Sequence, residues 1–154
     1  MNRIEKVRAV VDSMLLNMED TVERRCGYLH LYGVSQACTL IALKRKENAE
    51  LATISGMLHD IYCYANMDKE DLTRKSTVMA LEILNSLEIF TKEEIEKICS
   101  AIRHHSEKET VHPPFDEILV DADVLQHCLY NPLLDEMEHE KARYGKLKLK
   151  FGLL

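Results

Sequence analysis

Glycine and proline are scarce in this chain, and that scarcity is the strongest constraint on its fold. The 154 residues include only five glycines and three prolines, about half the usage of roughly 12% in average proteins. An all-β sandwich or barrel needs a turn every ~8–12 residues, and so few chain breakers cannot supply those turns. The sequence therefore predicts an all-α fold. The chain is long enough to bury its own core and shows no linker, so one domain over 1–154 is expected.

Apolar residues recur at helical spacing along most of the chain. This pattern predicts six to seven helices, over about 3–18, 22–46, 48–61, 71–88, 91 to at least 102, 115–130 and 131–143. Asn48 and Thr91 are the expected N-caps of two of them, and Thr91 with Glu94 forms a capping box. Residues 62–71 are expected to form a loop. The alternating tail, 146–151, is interpreted as a short edge strand or a docked tail.

Charge and composition narrow the function classes. The net charge is −6 with neutral histidines, and the lack of a Lys/Arg-rich block disfavours binding to duplex nucleic acid. No apolar run approaches the ~20 residues of a membrane span, and the N-terminus does not resemble a signal peptide. Five scattered cysteines without a C-x-x-C pair disfavour a disulfide framework. We therefore expect a cytoplasmic protein that acts on a small molecule, with homodimerisation left open.

Several polar residues fall on helix faces that should be apolar. They are His30, the pair His59 and Asp60, His105, Asp121 and Asp123. A buried carboxylate needs a cation or several hydrogen bonds, because a bare buried charge costs many kcal/mol. Imidazole and carboxylate ligands suit divalent ions such as Zn, Mn, Fe, Co or Ni. Taken singly, an inward histidine is more often a hydrogen-bonded core residue than a ligand. His112, His127 and His139 are interpreted as ordinary residues without a role in the site, and His112 is expected in an exposed loop.

The order of these residues resembles the HD-domain superfamily of metal-dependent phosphohydrolases. That signature is a histidine, then a His-Asp pair, then a distant aspartate, on a helical bundle. The matching segments are residues 28–34 (YLHLYGV), 58–61 (LHDI) and 121–125 (DADVL), within a motif-bearing core of about 24–130. The resemblance implies one divalent ion (Mn, Fe, Co, Ni, Zn or Mg) held by His30, His59, Asp60 and Asp123. Asp121 would then orient a ligand or a water beside the ion.

The sequence departs from the family pattern at Lys75, where branches with several metals carry another histidine. This departure favours a single ion. Asp60 and His105 are the candidate catalytic residues, whereas Arg103, Lys75 and His104 are the candidates for binding phosphate.

The resemblance predicts a phosphohydrolase acting on a nucleotide or another small phosphate ester. A non-catalytic HD-fold module that binds nucleotide is the alternative, and a metal-free helical interaction protein is a third. Substrate specificity is expected in loops 62–71 and 106–115.

Overall fold

The chain folds as a bundle of helices in a computed structural model, which describes residues 1–66 and 71–153. These residues form eight helices and no strand, which confirms the all-α prediction. The helices are α1 (Arg3–Leu16), α2 (Thr21–Arg45), α3 (Ala49–Leu58), α4 (Ile61–Asn66), α5 (Leu72–Leu87), α6 (Lys92–His104), α7 (Asp116–Tyr130) and α8 (Glu138–Phe151). No helix in the described ranges is both long enough and apolar enough to cross a bilayer.

Side-chain caps fix where several helices begin. Asn2, Asp20 and Asn48 accept hydrogen bonds from backbone N–H groups in the first turns of α1, α2 and α3. Thr91 and Glu94 form the predicted reciprocal capping box at α6. Each cap satisfies donors that have no partner inside the helix, so these four starts follow from local sequence.

Helix α3 lies at the centre of the bundle. All of its residues from Leu51 to Leu58 are buried, and it packs against α1, α2, α6 and α7. Its contact with α2 is unusually close, because a Cβ built at Gly56 would lie 2.6 Å from Ser35 Cα. Only glycine fits there, and the crossing places the C-terminal end of α3 beside the middle of α2.

The connection after α3 differs from its prediction. Residues 62–66, expected to begin a loop, belong to α4, and Tyr64 packs against the core. The remaining positions of that predicted loop, 67–70, lie outside the described residues, whereas residue 71 precedes α5.

The C-terminal region also differs from its prediction. Residues 131–137, expected to begin a helix, are irregular, and α8 continues through the tail to Phe151. The strand interpretation of 146–151 is therefore wrong, whereas the docked-tail alternative agrees with the burial of Leu147. Tyr144, Leu147 and Phe151 are spaced at helical intervals and reach the core. The alternation of lysine and leucine in 146–150 resembles a strand over a window too short to separate the two periods.

Candidate metal centre

Two histidines from neighbouring helices point their Nε2 atoms at each other. His30 lies in the middle of α2, and His59 follows the last residue of α3 and is fully buried. His30 Nδ1 donates a hydrogen bond to Gln126 Oε1 at 2.8 Å, and His59 Nδ1 donates to the Gly56 carbonyl at 2.8 Å. Both Nε2 atoms of the neutral rings therefore carry lone pairs, yet they lie 3.0 Å apart. A cation, either a proton or a metal ion, must lie between them to make this approach favourable.

Two carboxylates complete this group, which we call the histidine–aspartate cluster (His30, His59, Asp60 and Asp123). Asp60 Oδ2 lies 3.5 Å from His30 Nε2 and 3.6 Å from His59 Nε2. Asp123 Oδ1 lies 3.6 and 3.7 Å from the same two atoms. Asp123 Oδ1 is buried and accepts no hydrogen bond, although buried carboxylate oxygens are normally satisfied.

The spacing of the cluster fits a shared ion. Ligand atoms about 2.1 Å from one ion are about 3.0 Å apart at a right angle and about 3.4 Å apart at the tetrahedral angle. The two histidine nitrogens are 3.0 Å apart, and the separations between these nitrogens and the two carboxylate oxygens run from 3.5 to 3.7 Å. The unsatisfied Asp123 oxygen and the converging nitrogens are the donor set that a divalent ion requires, so these residues fit a metal.

Burial and charge give His59 and Asp123 the protonation states of ligands. For His30, by contrast, burial acts to lower the pKa, but the carboxylates of Asp60 and Asp123 raise it overall. Burial lowers the pKa of His59, outweighing the nearby Asp60 carboxylate. Burial acts to raise the pKa of Asp123, but the Lys108 ammonium and His59 hold it well below its ordinary value. A neutral imidazole beside ionised carboxylates is the form that binds divalent cations.

His105 lies on the opposite side of Asp60 from His30. Its buried ring donates from Nδ1 to the Ile102 carbonyl at 2.6 Å and places Nε2 3.4 Å from Asp60 Oδ1. Burial acts to lower the pKa of His105, but the Asp60 carboxylate raises it overall. The predicted catalytic pair, Asp60 and His105, is thus brought into contact.

A cavity of about 480 Å³ opens beside the cluster. His30, Asp60 and His127 form its inner wall. The rest of its lining combines apolar and aromatic side chains with amides and acids, including Leu29, Tyr64, Gln126, Tyr130, Leu134, Asp135, Glu136 and Met137. Its volume lies within the ~300–1,000 Å³ range of small-molecule sites.

The predicted phosphate-binding residues are not part of this cavity. Arg103 is exposed and pairs with Glu96 at 3.7 Å, and His104 donates to Asp116 at 2.7 Å. The Lys75 ammonium lies over the Tyr62 ring, 5.3 Å from its centroid. Among the described residues that line the cavity there is no lysine or arginine.

Asp121 was predicted to orient a ligand or a water beside the ion, but its ion-pair partners lie elsewhere. It forms ion pairs with Arg45 and Arg143, so it ties α7 to α2 and α8. Arg143 Nε also donates to the Lys108 carbonyl at 3.0 Å. Asp121 therefore supports the loop that carries Lys108 instead of contacting the histidine–aspartate cluster.

Sequence reasoning missed two residues at the centre. Lys108 is buried against Asp123 Oδ2, and His127 Nε2 lies 3.4 Å from Asp123 Oδ1. The signal for His127 was its position four residues after Asp123, because residues at i and i+4 share a helix face. Lys108 lies in a connection without periodicity, and nothing in the sequence pointed to it.

Comparison with known proteins identifies the family of the chain. The family model for the HD domain matches residues 27–127. Neither the curated proteins nor the solved structures contained a match to the chain. The family match spans most of the chain and includes all four members of the histidine–aspartate cluster. The chain therefore belongs to the HD domain family.

Proposed function

We propose that this protein is a metal-dependent phosphohydrolase that acts on a nucleotide or another small phosphate ester. The observation that carries the proposal is the convergence of the His30 and His59 Nε2 atoms on two carboxylate oxygens, Asp60 Oδ2 and the unsatisfied Asp123 Oδ1. Membership of the HD family supports this reading, because the resemblance implies a divalent ion on the same four residues.

His30, His59, Asp60 and Asp123 would hold the ion. When bound, it would lower the pKa of a coordinated water from about 15.7 toward about 7 and polarise a phosphoryl oxygen. Gln126 and the Gly56 carbonyl fix the two imidazoles through their Nδ1 atoms. Such hydrogen bonds orient ligands and set their tautomer.

The two carboxylate oxygens of Asp60 face different residues. Its Oδ2 faces His30 and His59, and its Oδ1 faces His105. Oδ1 would accept a proton from the attacking water, because a general base must be within hydrogen-bond reach of that proton. The Asp60 carboxylate raises the pKa of His105, so the imidazole would supply positive charge toward the phosphate.

The cavity beside the cluster is suited to the alcohol part of the substrate. Tyr64, Tyr130 and Leu29 offer flat or apolar surface, and Gln126 and Asn131 offer amides. A nucleoside combines an aromatic base with hydroxyl and amine donors, which these side chains complement. Carboxylates at Asp135 and Glu136 add acceptors for those donors.

Two observations keep a non-catalytic module as the second candidate. The described lining residues of the cavity include no lysine or arginine, and Lys75 stands where the resemblance implies a histidine in branches with several metals. A phosphate would depend on the ion and His105 for neutralisation. A protein that binds metal and nucleotide without turnover is consistent with such a site.

Metal analysis combined with a hydrolysis screen tests the proposal. Protein purified without chelator should contain about one divalent ion per chain and should release phosphate from a nucleotide in the presence of Mn, Co, Ni or Mg. His59→Ala should lose both properties, and His139→Ala, an exposed position on α8, should keep both. Wild-type protein that stays metal-free after incubation with these ions would refute the proposal. Tight nucleotide binding without product over hours would favour the non-catalytic module.

A further inference from the structure

His127 and Glu140 form a hydrogen-bonded pair at the edge of the histidine–aspartate cluster. His127 Nδ1 donates to Glu140 Oε1 at 2.9 Å. Glu140 lies on α8 and is 1% exposed, and His127 lies on the last turns of α7. The pair fixes the imidazole with Nε2 turned toward Asp123 Oδ1, at a distance of 3.4 Å.

This distance matches those of the two histidines already described. Asp123 Oδ1 lies 3.6 Å from His30 Nε2 and 3.7 Å from His59 Nε2. The His127 ring is nearly parallel to His30, with an interplanar angle of 8° and centroids 5.2 Å apart. One atom each from His30, Asp123 and His127 lies within 4.8 Å of the others, so the three can contact one ion.

The hydrogen bond at Nδ1 separates His127 from an ordinary surface histidine. Metal-ligating histidines almost always donate their other ring N–H to a carboxylate, a carbonyl or water. His30 and His59 each have such an acceptor, and His127 has a buried carboxylate. Burying the Glu140 carboxylate is costly without a compensating partner. The His127 imidazole is that partner when it lies between this carboxylate and a cation.

We propose that His127 is a fifth protein ligand of the ion and that Glu140 is its positioning residue. This inference rests on the proposed metal centre and extends it beyond the four residues implied by the family resemblance. It also gives α8 a role in the site, because Glu140 lies on that helix. This helix lies outside the range of 27–127 that matches the family. Five protein ligands favour an ion with five or six coordination positions over a strictly tetrahedral one.

Cobalt titration tests the inference without relying on activity. Co²⁺ is added to metal-free wild-type protein, His127→Ala, Glu140→Gln and the control His139→Ala. Binding is followed by calorimetry and by the visible d–d bands, whose intensity rises when a ligand is lost. We expect His127→Ala to weaken binding by at least ~10-fold and to strengthen the bands, because a ligand is removed. Glu140→Gln should weaken binding by about 10–100-fold, the range for partners of ligands, and His139→Ala should bind as the wild type does.

The possible outcomes distinguish this inference from the proposed function. Wild-type affinity and an unchanged spectrum in His127→Ala would overturn the fifth ligand and leave the four-residue centre intact, with His127 only a wall of the cavity. A wild-type protein that binds no Co²⁺ or other tested ion would overturn both. Far-UV circular dichroism of each metal-free variant shows whether it folds. If His127→Ala does not fold, the Co²⁺ titration of Glu140→Gln, which preserves side-chain shape, tests the inference in its place.

Discussion

Replacing Gly56 by alanine should separate α3 from α2 and disturb the centre that their crossing builds. A Cβ at Gly56 would lie 2.6 Å from Ser35 Cα, 2.8 Å from Ser35 N and 3.1 Å from the Val34 carbonyl carbon. Carbon atoms in contact are normally about 3.5–4.0 Å apart. Because the obstructing atoms are backbone, the two helices must move apart by roughly 1 Å, as no side chain can turn away.

The expected cost combines two opposing effects. Overpacking a well-packed interior costs about 1–3 kcal/mol, and alanine regains up to about 1 kcal/mol of helix propensity over glycine. We expect a net loss of about 1–2 kcal/mol, which lowers Tm by roughly 2–8 °C in a chain of this size. Metal affinity should fall as well, because His59 follows Gly56 by one helical turn.

Gly145→Ala is the matched control. Gly145 lies within α8, and a Cβ there would meet nothing within 4 Å. This substitution should stabilise the protein by about 0.5–1 kcal/mol. Thermal unfolding of both variants, measured without metal, gives the comparison. A Gly56→Ala protein as stable as Gly145→Ala would refute the close-crossing argument.

Three further predictions concern the side chains around the centre. Gln126→Ala should weaken metal binding by about 10–100-fold, because His30 loses the acceptor for its Nδ1 hydrogen. The control Gln36→Ala, at an exposed position on α2, should leave the affinity unchanged. Calorimetry with Mn²⁺ measures both affinities. Asp60→Asn should abolish phosphate release while some metal remains, since an amide cannot accept the proton; retained turnover in a phosphate assay would exclude that role. Burial acts to raise the pKa of Glu117, but its hydrogen bond with Arg143 lowers that pKa overall. The pair therefore stabilises the protein above the pKa of Glu117 in the unfolded chain, and this stabilisation is lost as the pH falls through its pKa in the folded protein. The Tm difference between wild type and Glu117→Gln should therefore shrink on acidification below about pH 4.5, and a difference that stays constant would contradict this.

Helix starts and the central helices were predictable because their signals are local. Asn48 and Thr91 cap the helices that their sequence contexts indicated. The near-continuous apolar run of α7 predicted a buried helix, and residues 118–125 are buried throughout. These features depend on hydrogen bonds and periodicity within a few residues.

Features that depend on tertiary contacts were not predictable. Arg103 was a reasonable phosphate ligand by type, but the rotation of α6 leaves it exposed beside Glu96. Asp121 and Asp123 have similar neighbours in sequence, and only the packing of α8 brings Arg143 to Asp121. Glu140 became visible as a partner of His127 only once α8 was placed against α7. Single-residue patterns cannot give the relative rotation of distant helices.

Anomalous diffraction from crystals grown with Mn²⁺ tests the central claim most directly. One peak is expected inside the histidine–aspartate cluster, within coordinating distance of the Nε2 atoms of His30 and His59. An ion bound only by surface carboxylates, or no peak in crystals whose His30 and His59 remain 3.0 Å apart, would contradict the account.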